Sequence, residues 1–139
     1  MHIIACFSLH SRSGPIDSLI LTPMLRNMMK SKIHRATLTG VDLEYDGSIT
    51  IDADILDAAD ILPFEQVHVL NLNNGSRIVT YAIEGKRGSG TFLLNGPAAR
   101  TGMIGDKVVI LTYTQVDGKE LKSFKPTVIK VDAKNRLKK

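Results

Sequence analysis

A tight turn followed by an alternating strand is encoded in residues 73–84, NNGSRIVTYAIE. The Asn-Gly pair in the turn tolerates positive φ at both residues, so it is a strong signal for a β-hairpin. Because successive side chains of a strand point to opposite faces, Arg77 and Tyr81 are predicted to share one face and Thr80 to lie on the other. The preceding run, residues 67–72, alternates in part and is the predicted partner strand.

Strand signals of the same kind recur along the chain after residue 31. Alternating or β-branched runs that are bounded by glycine, proline or asparagine predict strands. The predicted strands cover residues 32–39, 48–52, 67–72, 77–84, 91–95, 107–114 and 127–131. The run KVVILTYT, residues 107–114, is the richest in β-branched residues, so we expect it to be the most buried strand.

Two short helices are predicted among the strands. Residues 52–61 place Asp52 at an N-cap position and apolar residues at helical spacing after it. Residues 97–103 begin with Pro97, which suits the first turn of a helix. So many short strands would leave unpaired edges unless the sheet closed on itself. We therefore predict a mainly β fold, a small barrel or sandwich with short helices.

The composition is that of one globular domain. The chain has 139 residues, of which 43% are hydrophobic. Aromatic residues make up only 5%, which argues against a stacking platform for single-stranded nucleic acid. The single cysteine, Cys6, excludes an intrachain disulfide and a Cys-based metal site, and it fits a reducing compartment. No apolar run is long enough for a transmembrane helix, so we expect no membrane partner.

Three segments are predicted along the chain. Residues 1–23 lack a clear period and an export signal, so we expect a disordered N-terminal extension or a mis-assigned start, with Met24, Met28 and Met29 as alternative initiators. Residues 24–131 form the predicted single β-barrel domain. Residues 132–139 are a basic C-terminal tail.

The net charge of +4 is concentrated near the C-terminus. The residues that carry much of this excess are Lys130, Lys134, Arg136, Lys138 and Lys139. We interpret them as a solvated terminus. Binding of nucleic acid through this segment is the alternative. A basic balance equally suits a small acidic substrate.

Familiar catalytic and metal-binding motifs are missing from the sequence. The four histidines, His2, His10, His34 and His68, show no ligand spacing within a predicted element, so we expect no metal site. The glycine-rich run GKRGSG lacks the order of a phosphate loop, and no G-x-S-x-G elbow is present. The carboxylates within residues 52–60 are interpreted as solvated acids near a helix N-terminus.

Five short blocks remain, and each of them is weak alone. They are KIHRATLT (32–39), YDGSITID (45–52), NNGSRIVTY (73–81), LNGPAAR (94–100) and IGDKVVIL (104–111). In this order and at these separations, they resemble the pyruvoyl-dependent aspartate 1-decarboxylase family from about Met24 to about Val131. The resemblance implies a small double-psi β-barrel assembled as a homotetramer of cleaved α and β chains.

The resemblance also implies that the Gly47–Ser48 bond is broken by the protein itself. The hydroxyl of Ser48 would attack the preceding carbonyl, and glycine would leave that carbonyl open. Residues 1–47 would become the β-chain, and Ser48 would become the pyruvoyl group that starts the α-chain and forms a Schiff base with the substrate amine. Thr80 would assist cleavage and contact substrate, and Tyr81 would be the proton donor. Because Thr80 is predicted on the face opposite Tyr81, a bulge or a local twist would have to bring it to the site.

The implied reaction converts L-aspartate to β-alanine and CO2 for pantothenate and coenzyme A biosynthesis in the cytoplasm. No metal and no pyridoxal phosphate would be needed. The implied substrate-binding residues are Lys32, Arg77, Thr80, Asn95, Gly96, Pro97 and Ala98. Pro97 departs from the small-residue pattern of the family and has no N–H to donate. His34 and Tyr45 match positions in the pocket wall.

Two alternatives stay open at this point. One is a non-enzymatic β-barrel that binds nucleic acid through its basic tail. The decarboxylase hypothesis predicts no nucleic-acid partner. The other is a decarboxylase for a different amino acid. The sequence also leaves open whether an accessory protein assists maturation.

Overall fold

The computed structural model describes residues 22–139. Most of the predicted N-terminal extension, with Cys6, His2 and His10, lies outside these residues. The strands are β1 (Leu25–Thr37), β2 (Gly40–Asp42), β3 (Ser48–Asp52), β4 (Gln66–Asn71), β5 (Arg77–Gly85), β6 (Phe92–Asn95), β7 (Lys107–Asp117) and β8 (Thr127–Lys130). One α-helix, α1 (Ala53–Ala59), follows β3, and a 3-10 helix (Gly96–Thr101) follows β6.

The eight strands form one sheet in the order β2-β6-β3-β5-β4-β7-β1-β8. Strands β4 and β5 pair antiparallel, with Val69 opposite Ile78, which confirms the predicted hairpin. The turn contains Gly75 at a φ of 73°. Three pairs are parallel, β1 with β8, β2 with β6 and β3 with β5. In each of these pairs, a long crossover joins the end of one strand to the start of the other.

A single apolar core lies inside the curved sheet. Its members come from six strands, from both helices, from two adjoining loops and from the segment after β8. They include Ile33, Ile49, Ile51, Ile55, Val67, Ala82, Phe92, Ile110 and Val131. Because the strands from β6 to β1 in this order pack into one cluster, with Ile129 of β8 against it, the sheet wraps around its core. The structure confirms the predicted mainly β, small barrel-like fold.

Asp52 begins α1 as predicted and also fastens a distant loop. Its carboxylate accepts hydrogen bonds from the backbone N–H groups of Asp54 at 2.9 Å, Gly88 at 2.9 Å and Gly90 at 2.7 Å. Burial alone would raise the pKa of this carboxyl, but the three hydrogen bonds outweigh it and lower the pKa. The N-cap therefore also holds the β5–β6 loop.

Strand β1 begins seven residues before the predicted start at Lys32. Its first residues are exposed, and they are extended because they pair with the end of β7, from Leu25 opposite Asp117 onward. No local alternation marks them, so the period alone missed this half of the strand. Strand β2 was also missed, because it is only three residues long.

The C-terminal segment packs back onto the barrel. Val131 forms a β-bridge with Leu137, and Asn135 is buried. The basic side chains of this segment remain exposed. The solvated terminus of the sequence interpretation is therefore anchored by its backbone and by Asn135. Among residues 22–139, no helix has the length and apolar character needed to cross a membrane.

Candidate active site

The Gly47–Ser48 junction lies where a loop enters β3. Gly47 has a φ of 93°, a conformation that residues with a side chain rarely adopt. Ser48 is fully buried and pairs with Asn95 of β6. The peptide bond between Gly47 and Ser48 is therefore held in one orientation, because Ser48 is buried and paired with β6.

Asn95 contacts the hydroxyl of Ser48 directly. Its Nδ2 donates hydrogen bonds to Ser48 Oγ at 2.8 Å and to Thr50 Oγ1 at 2.9 Å. The Oδ1 atom of Asn95 is buried and has no partner among the described residues. Buried polar atoms without partners are uncommon, so the unpaired acceptor beside Ser48 is consistent with a functional site.

Gly96 brings the backbone after β6 against the same junction. At its φ of 58°, a Cβ atom would lie 2.4 Å from the carbonyl oxygen of Tyr45, 2.6 Å from the nitrogen of Gly47 and 2.8 Å from its Cα. Only glycine fits such contacts without a shift of backbone. The LNGPAAR and YDGS blocks, which are distant in sequence, therefore meet at residues 96 and 47.

A cavity of about 450 Å3 opens beside the junction. Its lining includes Gly47, Thr80, Tyr81, Pro97 and Ala98. We call it the junction cavity. Strand β5 reaches it because β3 and β5 run parallel, with Ile49 opposite Ala82. Five of the residues that the resemblance implied are thus gathered by the fold around one space.

Thr80 and Tyr81 reach the junction cavity from a regular strand. Thr80 lies on the face of β5 opposite Tyr81, as the period of two predicts, and the burial pattern of β5 agrees with that alternation. The pairing of β4 with β5 runs without a register shift from Tyr81 to Arg77, so no bulge brings Thr80 to the site. Tyr81 is 36% exposed, and its ring stacks on Phe64 with centroids 6.3 Å apart.

Lys32 and Arg77 line a different cavity of about 510 Å3. The guanidinium of Arg77 is held by His68 and Tyr113, which do not line this cavity. Its Nη2 donates to Tyr113 Oη at 3.0 Å and lies 3.3 Å from His68 Nδ1. Within one chain, this pair of cations is not brought together with Gly47, Ser48 and Tyr81. We call this second space the cationic groove.

His68 and Tyr113 were not among the predicted site residues. Their rings meet edge to face with centroids 5.0 Å apart, and both contact Arg77. The contact exists because β4 pairs with both β5 and β7. No short-range pattern carries this information, since the three residues belong to three strands.

The two predicted wall residues lie away from the junction cavity. Tyr45 has a 50% exposed side chain, and its carbonyl oxygen faces Gly96. His34 lines a third, smaller cavity. Within residues 22–139, no group of three or more His, Cys, Asp and Glu side chains is arranged to hold a metal ion.

The fold and this geometry define a small β-barrel protein whose own backbone forms one wall of its candidate site. The family model described as aspartate decarboxylase matches residues 24–138. The chain belongs to this aspartate decarboxylase family.

Named relatives agree over most of their length. The chain is 57% identical over 116 residues to the aspartate 1-decarboxylase of Chloroherpeton thalassium, which is 84% of this chain and 85% of that protein. It is 57% identical over 113 residues to the aspartate 1-decarboxylase of Thermoanaerobacter pseudethanolicus, covering 81% of this chain and 97% of that protein. The enzyme of the same name from Syntrophus aciditrophicus is 55% identical over 115 residues, with 83% and 99% covered.

Proposed function

We propose that this chain is a carboxy-lyase that cuts its own Gly47–Ser48 bond and then converts L-aspartate to β-alanine and CO2. The observation that carries the proposal is the junction itself. Gly47, which has a left-handed φ, precedes the buried Ser48. Gly47 lines the junction cavity together with Thr80 and Tyr81. Membership of the family supplies the reaction class and its place in pantothenate synthesis.

The residues at the junction fit the formation of a pyruvoyl group. Ser48 Oγ attacks the carbonyl carbon of Gly47, and an ester replaces the amide. Elimination then releases Gly47 as a carboxylate and leaves dehydroalanine at residue 48, which hydrolyses with loss of ammonia. Asn95 orients Ser48 Oγ through a 2.8 Å hydrogen bond. Thr80, in the same cavity, is the proposed donor to the oxygen of the scissile carbonyl.

The pyruvoyl group supplies an electron sink for the pair of electrons that the departing CO2 leaves behind. Tyr81 holds the proton, at Oη, that is delivered to the carbon from which CO2 departs. The backbone N–H groups of Gly96 and Ala98 are the proposed donors to a substrate carboxylate. Pro97 has no N–H, so no donor is available at that position.

We propose that a second copy of the chain completes the site, within the homotetramer. Arg77 and Tyr81 are four residues apart, which is about 13 Å along a strand. Arg77 also lines the cationic groove rather than the junction cavity, and Tyr113 holds its guanidinium. A neighbouring copy would bring its Lys32 and Arg77 to the open side of the junction cavity, where they would bind the two carboxylates of aspartate.

The cellular setting is proposed as the cytoplasm, with no membrane or nucleic-acid partner. Decarboxylation of a different amino acid is the second candidate, and the Arg77→Ala variant separates the two. If a substrate carboxylate docks on Arg77, this variant loses turnover of aspartate strongly. An unchanged rate with aspartate would favour the other substrate.

Intact-mass measurement under denaturing conditions tests self-cleavage. The expected result is two fragments that meet at residues 47 and 48, with the larger fragment bearing the mass of a pyruvoyl terminus. The Ser48→Ala variant is the matched control and stays whole. A parent chain that stays whole under all conditions and leaves aspartate unchanged would refute the proposal.

A further inference from the structure

A third cavity, of about 180 Å3, is lined by cations. We call it the basic cavity. Its cationic side chains are Arg35, Lys107, Lys130 and Lys138. Among its described lining residues, Asp132 is the only carboxylate and His34 the only imidazole. With His34 neutral, four positive charges and one negative charge leave a net charge of +3 around this small space.

The sheet fixes two of these lysines side by side. Strand β8 runs parallel to β1 and places Lys130 opposite His34. The backbone N–H of Lys138 donates to the carbonyl of Lys130 at 2.9 Å. Hydrogen-bonded backbone therefore fixes the Cα positions of both lysines on one wall of the cavity, and their side chains are exposed.

Arg35 enters the basic cavity from a strained position. It has a φ of 59°, and it lies in the register shift between Ile33 and Ala36 of the β1–β7 pair. A residue with a side chain costs about 1–2 kcal/mol in this conformation. Bulges of this kind redirect side chains, and strained residues cluster at functional sites.

Asn135 anchors the C-terminal wall of the basic cavity. Its side chain is buried and spans two neighbouring segments. Oδ1 accepts from the N–H of Thr37 at 2.8 Å, and Nδ2 donates to the carbonyls of Thr37 and Gly90 at 2.8 Å each. The backbone of this wall is therefore held in place by buried hydrogen bonds.

The positive charge of the basic cavity is not neutralised within residues 22–139. None of its four cations forms an ion pair within 4.0 Å there. The carboxylate of Asp132 accepts instead from the backbone N–H groups of Lys134 at 2.8 Å and Arg136 at 2.9 Å. Nδ1 of His34 is buried and has no hydrogen-bond partner among the described residues. Burial, and then the charges of Lys32, Arg35 and Lys130, lower the pKa of His34.

We propose that the basic cavity binds a phosphate group. Four cations around one small space match a tetrahedral dianion, which accepts several charge-assisted hydrogen bonds at once. The volume is below the roughly 300 Å3 at which pockets enclose a drug-sized ligand. The cavity therefore holds free phosphate or the phosphate head of a phosphomonoester whose remainder stays outside.

Isothermal titration calorimetry of the full chain at ~0.15 M ionic strength tests this site. Inorganic phosphate and glycerol 3-phosphate are the probes, and succinate is the carboxylate control. Both phosphates are expected to bind, and the tighter of the two identifies the source. No heat from either phosphate up to about 10 mM, or succinate binding as tightly as phosphate, overturns the proposal.

Variants locate the bound phosphate. Lys130→Gln and Lys138→Gln are each expected to weaken phosphate binding about tenfold, as for the loss of a hydrogen bond to a charged group. Lys122→Gln removes the same charge from an exposed loop outside the cavity and should change the affinity less than about twofold. Equal weakening by all three variants would mean diffuse attraction and refute the site. Ser48→Ala should bind phosphate as the parent does, so this result is separate from the proposed decarboxylase activity.

Discussion

Replacing Gly96 by alanine is expected to push the backbone at residue 96 away from the Gly47–Ser48 junction. The added Cβ would lie 2.4 Å from the carbonyl oxygen of Tyr45 and 2.6 Å from the nitrogen of Gly47. These are backbone atoms, so no change of rotamer relieves the overlap. The left-handed φ of 58° adds about 1–2 kcal/mol, and overpacking adds about 1–3 kcal/mol. We expect Gly96→Ala to lower the free energy of unfolding by about 2–5 kcal/mol.

The same substitution should slow self-cleavage. A shift of about 1 Å between reacting groups costs on the order of a hundredfold in rate, and the overlap at Gly47 requires a displacement of that size. The assays are urea unfolding and the fraction of chain cleaved at residues 47 and 48, followed over time by intact mass. Cleavage about a hundredfold slower than in the parent is the expected result.

Gly75→Ala is the matched control. Gly75 also has a left-handed φ, 73°, but nothing lies within 4 Å of its added Cβ. It should therefore show only the dihedral cost of about 1–2 kcal/mol and no change in cleavage. If Gly96→Ala and Gly75→Ala behaved alike in both assays, the close approach of residue 96 to the junction would have no part in processing.

Three further predictions follow from individual contacts. Asn95→Ala removes the donor to Ser48 Oγ and should slow cleavage at least tenfold, as read by intact mass; an unchanged rate would exclude Asn95 from orienting the hydroxyl. Tyr113→Phe frees Arg77 and should raise KM for aspartate about tenfold with kcat nearly unchanged, and a fall in kcat alone would contradict a positioning role. Asp52→Asn should cost about 1–3 kcal/mol at pH 7. Because the folded pKa of Asp52 is depressed, its contribution is present above the unfolded pKa of about 3.9 and is lost as pH falls through the folded pKa. The difference between this variant and the parent in urea unfolding should therefore shrink below about pH 4, and a constant difference would contradict it.

Local patterns in the sequence determined the hairpin, the N-cap at Asp52 and most of the strand positions. Each of these depends on a few neighbouring residues, through a period of two, a turn pair or a capping side chain. Five ordered blocks likewise determined the family, because their order and spacing are properties of the chain alone. The first half of β1 escaped detection, since its extended form depends on pairing with β7.

Tertiary structure alone decided which residues meet. The contact of Asn95 with Ser48 and that of Gly96 with Gly47 require β6 to lie beside β3, a pairing between segments more than forty residues apart. The pairing of β4 with both β5 and β7 also puts Arg77 beside Tyr113. Arg77 and Tyr81 line separate cavities although both lie on β5. The period of apolar residues and the strand propensity are local properties of the sequence. Strand register and strand order are instead set by the burial of one shared core, so the site forms only in the folded barrel.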